Sequence, residues 1–231
     1  MSLVEFKNVN KSFDEKVILT DVSFTIEQNK IIGLLGKNGM GKTTIIKLLN
    51  GLLTPTSGEI LINGEAPGVS SKKVISYLPE RLCLDRSMSV SQIIDYYIDF
   101  YEDFKKDTAL KLLNDLNLSL TDNLNKMSKG MIEKLQLILV MSREADLYVL
   151  DEPLGGVDPA TRDYILDTIL SNFKDGASIL ISTHLIQDIE RILDDVIFVD
   201  KGKIILTGSC DELRKKHNES IDEIFRRMFK C

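Results

Sequence analysis

The stretch Gly36-Lys37-Asn38-Gly39-Met40-Gly41-Lys42-Thr43-Thr44 restricts the fold of this chain more than any other. From Gly36 to Thr43 it fits the spacing G-x-x-x-x-G-K-[ST]. The apolar run Ile31-Ile32-Gly33-Leu34-Leu35 before it reads as a buried strand, and Thr44 to Leu49 after it as the first turns of a helix. A strand feeding a helix through such a loop predicts an α/β fold. Glycines let backbone N–H groups converge on a polyphosphate, and the helix that follows adds its positive N-terminal end. In that setting Lys42 would reach the outer phosphates and Thr43 would offer its hydroxyl to Mg²⁺. Spacing and flanking elements together set the stretch apart from a glycine-rich turn that carries a lysine by chance. A nucleoside triphosphate site is expected.

The length of 231 residues suits one sizeable α/β domain or two small lobes, and 43% hydrophobic residues allow a substantial core. The formal net charge of −6 argues against non-specific nucleic-acid binding, which needs Lys and Arg clusters. Lys72-Lys73, Arg214-Lys215-Lys216 and Arg226-Arg227 are short, lie among acids and read as solvated helix faces. The three cysteines, Cys83, Cys210 and Cys231, have neither metal-ligand spacing nor the density of a disulfide framework, which fits a reducing compartment. Met1 to Glu5 lacks the regions of a signal peptide, and no apolar stretch approaches the roughly 20 residues a membrane span needs. A cytoplasmic protein is therefore expected, with any membrane role supplied through another chain.

Along the chain, Val4 to Val9 and Val17 to Ile26 read as β structure joined by a loop at Lys11 to Glu15. Asn50-Gly51 stops the first helix, Glu59 to Asn63 is a short strand, and Val74 to Leu78 is a buried one. From about Ser89 to Met141 the pattern turns helical, opening on a capping box of Ser89 and Gln92. β structure returns at Leu147 to Leu150. Asp158-Pro159 opens a helix, Ser178 to Ser182 is a strand, and Leu185 to Leu193 is a further helix. Val196 to Val199 and Ile204 to Leu206 flank a hairpin turn at Asp200 to Lys203. In the tail, Ser220 and Glu223 form another capping box, and Ile221, Ile224, Phe225, Met228 and Phe229 make one apolar stripe, expected to pack on its own domain. The division expected is a core of residues 1–84 and 143–209 with an N-terminal antiparallel β part, a helical insertion at 85–142 and a helical tail at 210–231.

Phosphoryl transfer asks of a protein a cradle for the phosphates, a held metal, a positioned water and charge opposite the γ-phosphate. Leu147-Tyr148-Val149-Leu150-Asp151 is an apolar strand ending in a carboxylate that could hold Mg²⁺ through water. Glu152 beside it could orient and polarise an attacking water. An Asp-Glu pair alone can simply cap the next element; its position downstream of a phosphate loop gives it meaning.

With these segments in place the chain resembles the ATP-binding-cassette ATPases over nearly its whole length, with a P-loop NTPase core, an N-terminal antiparallel β subdomain and an inserted helical subdomain. The phosphate loop Gly36 to Thr44 and the Walker-B strand with Glu152 match. Leu154-Gly155-Gly156-Val157-Asp158 looks like the family's D-loop, and Ile181-Ser182-Thr183-His184 like its switch-histidine segment. Phe13 sits where the family places an aromatic that stacks on adenine, though it could equally be a core aromatic. The resemblance implies two such domains sandwiching two ATP molecules head to tail. The signature, usually L-S-G-G-Q, is read as Met127-Ser128-Lys129-Gly130-Met131, keeping Ser128 and Gly130. Ser128 would cap the next helix, whose free N–H groups could face a γ-phosphate. At Tyr77-Leu78-Pro79-Glu80, Glu80 stands where the family generally has glutamine, a residue that touches metal and γ-phosphate. Both departures resemble bacterial cassettes that drive small exporters with separate membrane subunits. His184 would hydrogen-bond the γ-phosphate; His217, in the charged tail, reads as exposed.

The resemblance thus implies an ATPase subunit using ATP and Mg²⁺, with a second cassette subunit and a membrane-spanning permease as partners, peripheral on the inner face of the membrane, and no nucleic acid. Two alternatives remain at this point. One is a cassette ATPase acting on nucleic acid or ribosomes, against which stand the acidic charge and the lack of coiled-coil insertions or zinc modules. The other is a GTPase, for which Asn125-Lys126-Met127-Ser128 lacks the aspartate that would accept the guanine N–H groups.

Overall fold

The computed structural model describes residues 2–80, 84–157 and 159–229, with only the backbone of Pro159 and Ala160. Asp158, the expected D-loop aspartate, lies outside the described residues, as do Cys83 and Cys231. The chain runs β1 (Ser2–Phe13), β2 (Lys16–Glu27), β3 (Ile31–Leu35), α1 (Lys42–Leu49), β4 (Ser57–Ile62), α2 (Val69–Val74) and β5 (Ile75–Leu78). It continues through α3 (Val90–Phe100), α4 (Lys106–Asp115), α5 (Lys129–Met141), β6 (Leu147–Asp151) and α6 (Pro159–Asn172). It ends with β7 (Ser178–Thr183), α7 (Ile186–Ile189), β8 (Asp195–Asp200), β9 (Lys203–Ser209), α8 (Cys210–His217) and α9 (Ile221–Met228).

Two sheets result. β2-β1-β4 form a three-stranded antiparallel sheet, and β5-β6-β7-β3-β8-β9 a six-stranded one, parallel except for β9, which turns back on β8. β6 and β7 are buried at every position, as parallel strands covered on both faces must be, so their sequences read as unbroken apolar runs. Alternate residues still face different cores. Leu147 and Val149 of β6 join α1 and the antiparallel sheet, whereas Tyr148 and Leu150 join the helices of the other face. The antiparallel sheet and the helices therefore cover opposite sides of one central sheet.

The order of the six strands positions the site. β3, β7 and β6 are consecutive neighbours and run in parallel, so the loops after Leu35, Asp151 and Thr183 open at the same edge. In open α/β sheets ligands bind outside the carboxyl ends of the strands.

Helices α3 to α5 follow the expected helical stretch, and the Ser89–Gln92 capping box closes both ways at the start of α3. They are tied back to the sheet by Arg143, which is 4% exposed. Its guanidinium grips both oxygens of Asp103 at 3.0 Å, donates to the carbonyls of Ile75 and Lys73, and lies 3.9 Å over the Tyr101 ring. A bidentate, stacked site of this kind suits arginine and not lysine.

Some features differ from the sequence reading. Lys11, Ser12 and Phe13 pair with Leu19, Val17 and Lys16, so the expected loop shrinks to Asp14-Glu15 and the strands reach its edge. The helix expected at Leu185 to Leu193 ends at Ile189, and Arg214 takes the Glu190 carbonyl that a longer helix would have used. In the tail stripe, Ile221, Ile224, Phe225 and Phe229 are buried but Met228 is exposed.

Cys210, at the start of α8, is buried, and that burial pushes its thiol up to about 12, with Asp195, Asp194 and Asp211 adding to the rise and Arg214 opposing it. Thiolate is the reactive form. Cys210 should therefore resist iodoacetamide in the folded protein at pH 8 and react once denaturant is added. Mass-spectrometric mapping that finds it alkylated at the rate of a free thiol would contradict the packing around it.

Candidate nucleotide site

The phosphate loop leaves β3 and enters α1 through two glycines that admit no other residue. A Cβ on Gly36 would meet the Val199 carbonyl at 2.5 Å, and Gly41 has φ +109°, outside the range of L side chains, with Leu19 Cδ2 2.8 Å from where its Cβ would sit. Gly41 also occupies the N-cap of α1 and offers no side-chain oxygen to the helix's first N–H groups. Those groups and the helix dipole are left for an anion. Lys42 is 5% exposed, and its ammonium donates to the Gly36 carbonyl at 2.7 Å.

The loop forms one wall of a cavity of about 660 Å³. Asn38, Gly39, Gly41, Lys42, Thr43 and Thr44 line it on one side. Asp151 at the end of β6, Glu152 just after it, His184 after β7 and Glu80 after β5 face them. A space of this size holds a nucleotide.

Glu152 adopts φ +53°, the left-handed region that costs a glutamate energy and recurs at functional sites. Its N–H donates to the Ser182 carbonyl at 2.8 Å, which holds the turn in place. The side chain is mostly buried. One oxygen, Oε1, contacts Lys42 Nζ at 3.3 Å as an ion pair without hydrogen-bond alignment, and Oε2 lies 3.0 Å from His184 Nδ1. One carboxylate thus joins the loop lysine to the histidine of a neighbouring strand.

Asp151 is 1% exposed. Burial pushes its carboxyl above the usual range, and the nearby charges of Glu152 and Glu80 add to the rise. The hydroxyls of Ser182 and Thr43 oppose it, but neither closes an aligned hydrogen bond, so among the described residues both Asp151 oxygens and Ser182 Oγ lack a partner. Buried polar atoms are ordinarily paired. An orphaned carboxylate beside a threonine hydroxyl and a phosphate loop has the donor chemistry for a magnesium ion, which takes one or two carboxylates and completes its shell with water and substrate phosphates. Among the described residues no group of three His, Cys, Asp or Glu is placed to hold a metal by itself.

Of the other expected residues that are described, Phe13, Gly36, Lys37, Met40, Ser128 and Gly130 do not line this cavity. Phe13 stands at the tip of the β1–β2 hairpin, 44% exposed, with Lys11 Nζ 4.8 Å from its ring centre, so it is no core aromatic. Ser128 caps α5 by accepting from the Met131 N–H at 3.3 Å. Gly130 is exposed, with open space where a Cβ would go. Gly36, Lys37 and Met40 belong to the loop without lining the cavity, and the Lys37 ammonium donates instead to the Phe229 carbonyl at 2.8 Å. Conversely, Lys129, Glu133 and Gln136 of α5 reach the cavity wall. Their spacing of four and three places them on one helix face, a signal present in the sequence but indistinguishable there from a solvated stripe.

Comparison with known proteins agrees with this geometry. Residues 19–155 match the family model described as ABC transporter. The chain is 31% identical to the ABC-type transporter ATP-binding protein EcsA of Bacillus subtilis (strain 168), over 100% of its own length and 98% of that protein's. It is 28% identical to the lipopolysaccharide export system ATP-binding protein LptB of Haemophilus influenzae, over 97% of each chain. A solved structure of an ATP-binding subunit of an ABC transporter superposes with a TM-score of 0.88 at 28% identity, covering 99% of this chain and 100% of that one. Sequence and fold converge over essentially the whole length, and the chain belongs to the ABC transporter family as an ATP-binding subunit, an ATPase coupled to transport.

Proposed function

We propose that this chain is the ATP-hydrolysing subunit of an exporter, that it closes head to tail on a second cassette subunit around ATP, and that it drives a separate membrane-spanning protein. The carrying observation is the Asp151–Glu152 turn, with an orphaned buried carboxylate next to one that already touches both Lys42 and His184. Lys42 and the loop amides from Gly36 to Thr44 hold the phosphates. Thr43 of the loop, with Asp151 and Glu80 facing it, would hold Mg²⁺. The ion, when bound, would supply positive charge beside the phosphate oxygens. Glu152 accepts a proton from the attacking water, and His184 keeps that carboxylate aimed while its ring faces the γ-phosphate. Phe13, exposed at the hairpin tip, stacks on adenine.

Ser128 and Gly130 serve the partner's nucleotide. Gly130 has no packing reason of its own to be glycine, which fits a place where something from outside the chain approaches closely. Asp158, the expected D-loop aspartate, is assigned to nucleotide binding in this reading. The division into a core of residues 1–84 and 143–209, a helical part at 85–142 and a tail at 210–231 then has a purpose: the helical part carries the surface that meets the partner cassette. Export is favoured over uptake by the relative named for lipopolysaccharide export. No helix among the described residues is long and apolar enough to cross a membrane; in this reading a separate protein spans it and this chain sits on the inner membrane face.

Calorimetric titration with ATP and Mg²⁺, followed by affinity purification from detergent-solubilised membranes, tests this. Micromolar to millimolar ATP binding with hydrolysis and recovery of one very hydrophobic partner are expected. No heat at millimolar ATP–Mg²⁺, or recovery of ribosomes or DNA in place of a membrane protein, overturns it.

A further inference from the structure

The ammonium of Lys37, the second residue of the phosphate loop, is held by the far end of the chain. It donates at 2.8 Å to the carbonyl of Phe229, 192 residues away and the C-cap of α9. The last carbonyls of a helix lack internal partners and carry the negative end of its dipole, so a lysine there satisfies both. The acceptor is itself fixed. The Phe225 and Phe229 rings stack at 4.1 Å and 24°, and Phe198 of β8 packs against them at 5.4 and 6.2 Å. Phe198 pairs in register with Leu35, the last residue before the phosphate loop. At the opposite end of α9, Asp222 accepts from Gln187 Nε2 at 3.0 Å, and its N–H donates to Glu190 Oε2 at 3.0 Å. Gln187 and Glu190 belong to α7 and its C-cap, immediately after His184. α9 therefore touches both the phosphate loop and the segment that carries the histidine.

We propose that α9 is a strap that sets the phosphate loop against the His184 segment, and that Lys37 is a positioning residue acting through this strap and not a phosphate contact. The proposal rests on the phosphate loop binding ATP as set out above. A loop released at Lys37 samples conformations that do not converge on the phosphates, and apparent affinity drops by the fraction of time it is misplaced.

The test uses the full chain with Lys37→Met, Lys37→Arg, Phe225→Ala and the double variant Lys37→Met/Phe225→Ala. Loss of the charge-assisted hydrogen bond to the Phe229 carbonyl should raise the KM for ATP about five- to tenfold, and more than it lowers kcat. Lys37→Arg, which can still donate to the carbonyl, should recover most of the loss. Because Lys37 and α9 act as one unit, the double variant should be no worse than the poorer single variant. Additive effects, or Lys37→Arg behaving as Lys37→Met, would mean that the lysine meets the nucleotide directly and would overturn the strap. Amide hydrogen exchange supplies a measurement independent of ATP and of Phe225→Ala folding well. Lys37→Met should speed exchange in both 36–41 and 221–229, and unchanged exchange in either overturns the proposal. If the wild type fails to bind ATP while exchange responds as expected, the functional reading fails and the strap stands.

Discussion

Replacing Glu152 by Gln should lower ATP turnover by about 10²–10⁴-fold, the range set by losing a positioned general base. An amide fills the same space but cannot take the water's proton. The two partners of the carboxylate make the variant informative in a second way. Lys42 Nζ is 3.3 Å from Oε1, both groups being mostly buried, so part of the lysine's field is neutralised by Glu152 before any nucleotide arrives. A neutral amide would remove that competition, and ATP should bind at least as tightly as to the wild type. Falling kcat with unchanged or falling Kd separates this from simple damage to the site, which would weaken binding as well. Glu152→Asp tests geometry: the shorter side chain keeps the charge but cannot span from Lys42 to His184, and it should also be slow. Rapid-quench single-turnover assays with a parallel equilibrium titration read both quantities. Turnover of Glu152→Gln within about threefold of wild type would take the catalytic base elsewhere.

The parts of this site that were legible in the sequence are those set by local chemistry. A phosphate loop is defined by residues within one turn of one another, and Gly36 and Gly41 are glycines because the backbone there permits nothing else. Asp151 was legible because a fully buried strand ending in a carboxylate violates the apolar pattern. The Ser89 and Ser220 caps were legible because a capping box is a four-residue signal. Misread features depended on partners distant in the chain. Lys11 to Phe13 is polar enough to pass for a loop, yet cross-strand pairing with Val17 and Leu19 holds it extended. The end of α7 is decided by Arg214, which reaches back across 24 residues to the Glu190 carbonyl. Lys129 and Glu133 form an i,i+4 pair that no local pattern ties to a nucleotide, and the placement of α5 beside β5 brings them to the cavity wall. Lys37 counted as one more member of the loop, because no local pattern encodes a bond to residue 229.

Replacing Asp151 by Asn should stabilise the nucleotide-free protein while abolishing its response to Mg²⁺. The native carboxylate is buried, raised in pKa chiefly by that burial, and lacks an aligned donor. The substituted side chain would carry no charge, and its amide could donate to Ser182 Oγ, which is also unpartnered. Removing one unsatisfied buried group is worth about 1–3 kcal/mol, and each kcal/mol moves the Tm of a chain this size by about 2–4 °C. The pH dependence has a definite sign. Because the folded-state pKa lies above the unfolded value of about 3.8, the folded protein holds the extra proton between the two, and stability falls as pH rises through that window. The penalty is complete above the raised pKa and absent below the unfolded one, so the advantage of Asp151→Asn should be full at pH values above the raised pKa and shrink as pH falls through the window toward the unfolded value. With Mg²⁺ and ATP the order reverses: the wild type should gain a large thermal shift that the variant lacks, and turnover should fall by about 10²-fold or more as transition-state charge loses its support. Differential scanning fluorimetry across pH, with and without ATP–Mg²⁺, reads the stability effects, and a steady-state ATPase assay reads the turnover. A variant less stable than wild type when empty, yet still stabilised by Mg²⁺, would show that Asp151 serves the fold and that the ion is held elsewhere.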